Sequence, residues 1–158
     1  MWYFIFAAVI VALDRAVKLW VMWAVEPGTA FPLIPGIIHI TNVENPGAAF
    51  SILANMRWVL VGVSSVCALA IIYIIAAKKL TGFGRWCAAA ILGGAVGNLI
   101  DRILTGKVLD MFETEFVTFA IFNVADIFIT LGGAALIIYI ITFEMSKKTH
   151  TIADDNNT

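Results

Sequence analysis

The chain has 158 residues, 61% of them hydrophobic and only 13% charged, with a formal net charge of -1 and a mean hydropathy of +0.95. A soluble domain carries about 25% charged residues to cover its surface, so a soluble globular class is excluded. No basic patch interrupts the apolar sequence, which removes nucleic acid from the candidate partners. The apolar residues come in long blocks, the pattern of an integral membrane protein.

A spanning helix needs about 20 mostly apolar residues. The first candidate is Tyr3–Val25. It lacks the basic start of a cleavable leader and carries Asp14, Arg15 and Lys18 in its apolar body, so it reads as a retained span. Asp14 and Lys18 stand at i and i+4, share a helical face and can pair. The pair suits either an ion bridge tucked between helices or contact with a substrate or lipid headgroup.

The next segment, Glu26 to Arg57, is more than a loop. Its stretch "IIHITNV" is rich in β-branched residues and bracketed by Pro and Gly, so a strand or two is expected, forming a small sheet on the outer surface. A second span follows at Trp58–Ala77 and a third at Trp86–Leu104. Cys67 and Cys87 fall in these blocks with no metal-ligand spacing and read as small buried hydrophobes. No H-E-x-x-H pair is present, so neither a metal site nor another cofactor is expected.

The third span contains "ILGGAVGNLIDRIL". Gly94, Asn98, Asp101 and Arg102 recur at helical spacings and form a polar, small-residue stripe. Gly93 and Gly97 permit close helix approach. Each polar group at membrane depth needs a partner. The second outer segment, "TGKVLDMFETEFVTFAI", carries Asp110. The fourth span is Phe122–Phe143, with Asn123 and Asp126 sharing a face near its start, continued by Thr130 and Gly133. The polar tail from Ser146 lacks hydrophobic periodicity and is expected to be disordered. Residues 1–145 therefore form a single membrane domain and 146–158 a cytoplasmic tail.

Orientation follows from the loop cations. With the N-terminus inside, Lys78, Lys79, Arg85, Lys147 and Lys148 lie on the cytoplasmic side, against Arg57 and Lys107 outside. Both termini are thus expected in the cytoplasm. Asp126 then lies roughly 6 Å below the outer end of its span at 1.5 Å per residue. Asp101 falls near the same boundary, and Asp110 sits on the link between the two helices. Two carboxylates in a shielded site cannot both ionise cheaply, so one keeps a proton. Such a pair can activate water for peptide hydrolysis. The same residues would also suit a proton relay or a purely structural network.

Five segments, "LDRAVK", "NPGAAFS", "GGAVGNLIDR", "GKVLDMF" and "FNVAD", occur in this order on these spans. Together they resemble lipoprotein signal peptidase, the signal peptidase II family. The resemblance runs from about Asp14 to beyond Asp126. It implies an all-α membrane protein of four transmembrane helices with a small extracytoplasmic, β-containing cradle. The implied activity is that of an intramembrane aspartic endopeptidase of the bacterial cytoplasmic membrane. Members remove signal peptides from prolipoproteins, cutting just before the diacylglyceryl-modified cysteine.

By motif the catalytic aspartates fall on Asp110 and Asp126. Asn45, Asn98, Arg102 and Asn123 match the polar residues around the pair, and Asp14, Lys18 and Asp101 match positions supporting the fold or the substrate site. The "NPGAAF" turn and the outer sheet would form the cradle. The implied partners are diacylglyceryl-modified prolipoproteins and membrane lipids, with the protein acting as a monomer. Arg15 departs from the pattern, since many members carry Gln there, and its charge is expected to face away from Lys18.

A transporter is the main rival class, but the chain shows no internal repeat and its acidic groups cluster at one side of the membrane. A Ser-Lys protease could use Ser51, Ser64 or Ser65, yet Lys18 is better explained by Asp14. A non-catalytic assembly subunit would not need paired carboxylates.

Overall fold

The computed structural model describes residues 1–47 and 52–155, with side chains as far as Phe143. The first helix, α1 (Trp2–Ala24), buries Ala7, Ile10, Asp14, Lys18 and Val21. These recur every three or four residues, so they form one stripe along the helix. Its remaining surface exposes Val9, Leu13, Leu19, Trp20, Met22 and Trp23. An apolar outside around a partly polar inside inverts the pattern of a soluble protein and marks a lipid-facing surface.

Helices α2 (Arg57–Ala76), α3 (Gly82–Leu104) and α4 (Val124–Asp155) complete the helical body. The centre is α3, which packs against each of the other three. Its buried residues are small: Gly84, Cys87, Ala88, Ala89, Ala90, Gly93, Gly94 and Gly97 among them. Lipid offers no hydrophobic drive between helices, so close backbone contact does this work. A Cβ on Gly94 would come within 2.3 Å of the Ala125 carbonyl oxygen of α4, and one on Gly97 within 2.7 Å of Asp14 Oδ2 in α1. Glycine is therefore required at both positions for the neighbours to sit where they do.

Among the described residues, α2, α3 and α4 (over Val124–Phe143) are long and apolar enough to cross a membrane. The first helix has the length but carries Asp14, Arg15 and Lys18. Helix limits match the sequence expectations to within two residues, except at two ends. Helix α3 starts at Gly82 instead of Trp86, because a helix need not stop where its apolar run does. Helix α4 continues to Asp155, where the sequence reading expects a disordered tail from Ser146. Extending an existing helix avoids the unfavourable nucleation step that a free polar segment would face. Cys87 is buried as expected, whereas Cys67 is exposed on α2, among apolar residues that face outward.

The sheet has three antiparallel strands in the order β1 (Ala30–Ile34), β2 (Ile38–Asn45) and β3 (Val108–Thr114). The second falls on the expected "IIHITNV" stretch, and the first lies just before it, outside that stretch. The third comes from the link between α3 and α4, where no strand was foreseen. Pairing sets Val43 opposite Asp110 and Asn45 opposite Val108. Val21 and Val25 of the α1 end pack with Ile40, Leu109 and Met111 of the sheet, and Asn42 Nδ2 donates to the Val25 carbonyl at 2.8 Å. On the other side, Met111 and Phe112 N–H groups both donate to the Phe122 carbonyl, at 3.0 and 2.8 Å. Strand β3 is thereby held between the C-terminal end of α1 and the start of α4.

Candidate active site

The local sequence at the start of α4 explains where Asp126 points. Asn123 precedes the helix, and its Oδ1 accepts from the Asp126 N–H at 3.0 Å, while Asp126 Oδ2 accepts from the Asn123 N–H at 3.2 Å. This reciprocal arrangement is a capping box with Asn and Asp in place of the commoner Ser/Thr and Glu. It satisfies two orphan N–H groups, and the carboxylate meets the positive end of the helix.

Asn123 is wholly buried and reaches further. Its Nδ2 donates to Asp110 Oδ1 at 2.7 Å and to Asn98 Oδ1 at 3.2 Å. Both amide hydrogens and the amide oxygen are thus used. Asp110 Oδ2 accepts from Asn45 Nδ2 at 3.0 Å, and Asp126 Oδ1 accepts from Asn98 Nδ2 at 2.8 Å. Each of the four carboxylate oxygens therefore receives one N–H, and Asn123 bridges the two acids. Asp110 is pushed up from 3.8 to about 6, chiefly by burial, while the Asn45 hydrogen bond opposes the rise and the charge of Asp126 adds to it.

Behind this group lies an ionic cluster. Lys18 Nζ sits 2.8 Å from Asp14 Oδ2 and 2.7 Å from Asp101 Oδ2, and it donates to Asn98 Oδ1 at 3.1 Å. The expected Asp14–Lys18 pair is present, and Asp14 Oδ1 also accepts from the Ala125 N–H at 3.0 Å. The expectation that Arg15 faces away from Lys18 is corrected here: it pairs with Asp101, the acid that also holds Lys18. Residues 15 and 18 stand three apart on a helix and lie on neighbouring flanks, the signal that locates this partner. The ammonium of Lys18 is taken up by two carboxylates and an amide, and among the described residues no serine shares it.

One cavity of about 480 Å³ collects Asn45, Asn98, Arg102, Asp110 and Asp126 at a polar end. Its remaining wall includes Val108, Phe119, Ile121, Ile127, Ile129, Thr130 and Leu131. Arg102 Nη2 donates to the Gly47 carbonyl at 3.1 Å, tying the segment after β2 to this end. Asn123, Asp14, Lys18 and Asp101 are buried behind the cavity instead of lining it. Of the expected "NPGAAF" turn, Asn45 to Gly47 are in place, and Ala48 to Ser51 lie outside the described residues.

The signal peptidase II family model matches residues 6–142 of this chain. The chain belongs to the signal peptidase II family. The lipoprotein signal peptidase of Brevibacillus brevis is 40% identical over 139 residues, covering 87% of this chain and 93% of that protein. The lipoprotein signal peptidase of Clostridioides difficile is 34% identical over 148 residues, 94% of this chain and all of that protein (100%). A bacterial membrane enzyme solved in meso at 2.3 Å superposes with a TM-score of 0.87 at 29% identity, over 92% of this chain and 90% of that one. A second, solved at 1.9 Å, gives a TM-score of 0.80 at 30% identity, over 87% and 91%. The signal peptidase II family is a family of proteases, and the apolar helices described above suit its place among bacterial membrane enzymes.

Proposed function

We propose that this chain is an intramembrane aspartic endopeptidase that removes signal peptides from bacterial prolipoproteins. Asp110 and Asp126 form its catalytic pair, and it cuts before a diacylglyceryl-modified cysteine. The observation that carries the reading is the meeting of two carboxylates, one from β3 and one from α4, at the polar end of a cavity with an apolar wall. A peptide bond can enter at the polar end while acyl chains lie along Ile127, Ile129 and Leu131.

Asp110, the acid whose pKa burial has raised, holds the proton. Asp126 takes a proton from a water as its oxygen bonds to the scissile carbonyl carbon, and Asp110 gives its proton to the carbonyl oxygen. A neutral gem-diol results. The proton on Asp126 then passes to the leaving nitrogen as the C–N bond breaks, and a hydroxyl proton of the diol returns to Asp110. Both acids end in their starting states. Asn98, Asn45 and Asn123 hold the carboxylates in place, and fixed donors of this kind cost no reorganisation during reaction.

The topology consistent with this chemistry has four spans with both termini cytoplasmic. The charges of α1 argue against its crossing only while unpaired. Asp14 and Asp101 neutralise Lys18 and Arg15 inside the bundle, the arrangement in which intramembrane charges are tolerated. The protein acts as a monomer, surrounded by lipid, and Asp14, Lys18 and Asp101 support the site from behind. The test is cleavage of a lipidated precursor by purified protein, with Asp110→Asn and Asp126→Asn in parallel. Each variant should lose at least about 10⁴-fold in rate, in line with loss of an essential acid or base. Substantial cleavage by either folded variant sinks the assignment.

A further inference from the structure

Thr130 stands one turn beyond Asp126 on α4 and lines the same cavity. A threonine within a helix ordinarily turns its hydroxyl back to a carbonyl three or four residues earlier. Thr142 of this helix does so, donating to Ile138 O at 2.9 Å and Tyr139 O at 3.0 Å. The hydroxyl of Thr130 makes no such bond among the described residues. Its flanking neighbours on the wall, Ile129 and Leu131, are apolar, as is Ile127. The carboxylates and amides at the other end of the cavity are engaged with one another, and Arg102 Nη2 with the Gly47 carbonyl, while Arg102 Nε has no partner among the described residues. Thr130 is itself exposed, so once the cavity is filled its hydroxyl needs an acceptor from the occupant.

The geometry points to Thr130 as a specificity-determining residue that donates a hydrogen bond to an ester carbonyl of the substrate's diacylglyceryl group. This rests on the proposed lipoprotein substrate. The four residues from Asp126 to Thr130 rise roughly 6 Å toward the bilayer centre at 1.5 Å per residue. From the scissile carbonyl, the chain through nitrogen, Cα, Cβ, sulfur and two glyceryl carbons to an ester spans roughly 8–10 Å when extended. An ester carbonyl therefore comes level with Thr130 when the peptide bond lies between the two aspartates. Thr130 does not touch the reacting atoms. It reads the linkage that separates a diacylglyceryl thioether from other apolar modifications.

The test uses the full chain in one detergent and two matched precursors, one with ester-linked acyl chains and one with ether-linked alkyl chains that lack the carbonyls. Wild type should cut the ether substrate with kcat/KM reduced roughly two- to tenfold, the scale of one neutral hydrogen bond. Thr130→Val, which keeps the shape, should lose the same factor on the ester substrate and nothing further on the ether one. The loss should fall on KM and not on kcat, because the bond is equal in ground and transition states. Thr130→Ser should restore ester preference. Equal loss by Thr130→Val on both substrates, or none on the ester, overturns the proposal while cleavage that depends on Asp126 leaves the protease reading intact. Wild-type indifference to lipid altogether, tested with an unmodified precursor, overturns the lipoprotein reading itself.

Discussion

Replacing Asn123 separates holding the helix from holding the acids. Its side chain makes three hydrogen bonds: Nδ2 to Asp110 Oδ1 at 2.7 Å, Nδ2 to Asn98 Oδ1 at 3.2 Å, and Oδ1 from the Asp126 N–H at 3.0 Å. Serine in its place keeps a capping oxygen but has one O–H where the amide has two N–H donors. It cannot serve both Asp110 and Asn98 while capping. Alanine loses all three bonds. The cap separates the two variants by about 1 kcal/mol of stability, which is about 2–4 °C in Tm for a chain of this size. The catalytic effect is common to both. A catalytic group displaced by about 1 Å costs about a hundredfold, or about 2.7 kcal/mol at 1.36 kcal/mol per tenfold. Asn123→Ser and Asn123→Ala should therefore lose similar amounts of kcat, about a hundredfold, while only alanine loses the cap. The assay is turnover of a lipidated precursor in a fixed detergent beside thermal unfolding of the same preparations. Near-wild-type turnover by the serine variant, with loss confined to alanine, would refute the bridging role and leave Asn123 a helix cap.

The raised carboxyl of Asp110 predicts two pH effects. The folded protein holds a proton there between 3.8 and about 6, where the unfolded chain has lost it, so stability from this group is full below pH 3.8 and declines as pH rises through about 6. The total is about 3 kcal/mol at 1.36 kcal/mol per pKa unit. Unfolding of wild type across that range should show this decline and Asp110→Asn should lack it; an opposite slope refutes the protonated assignment. In the same titration kcat/KM should fall on the alkaline side as the free enzyme's Asp110 proton is lost, and a flat profile with chemistry rate-limiting excludes a shared proton. Among the described residues no group of three His, Cys, Asp or Glu side chains could hold a metal ion, so EDTA should leave turnover unchanged; loss restored by added metal would revive a metalloprotease.

What sequence alone determined here is what lipid and helix geometry dictate locally. Bilayer thickness demands apolar runs of about 20 residues, so the helices could be read to within four residues at every end but the last of α4. The Asp14–Lys18 pair and the shared face of Asn123 and Asp126 follow from a four- and a three-residue separation. Only tertiary structure decided what depends on distant pairing. Asn45 meets Asp110 because β3 adds to the sheet beside β2, a contact across 65 positions that no local period encodes. Asp101 turns to Arg15 and Lys18 of α1 while Arg102, the next residue, lines the cavity, because adjacent helix positions diverge by about 100° and the packing of α1 and α4 chooses which faces which. The site itself arises there. Asn123 bridges two acids that sequence places 16 positions apart only because β3 is clamped between α1 and α4, and burial at that junction is what raises the proton affinity of Asp110.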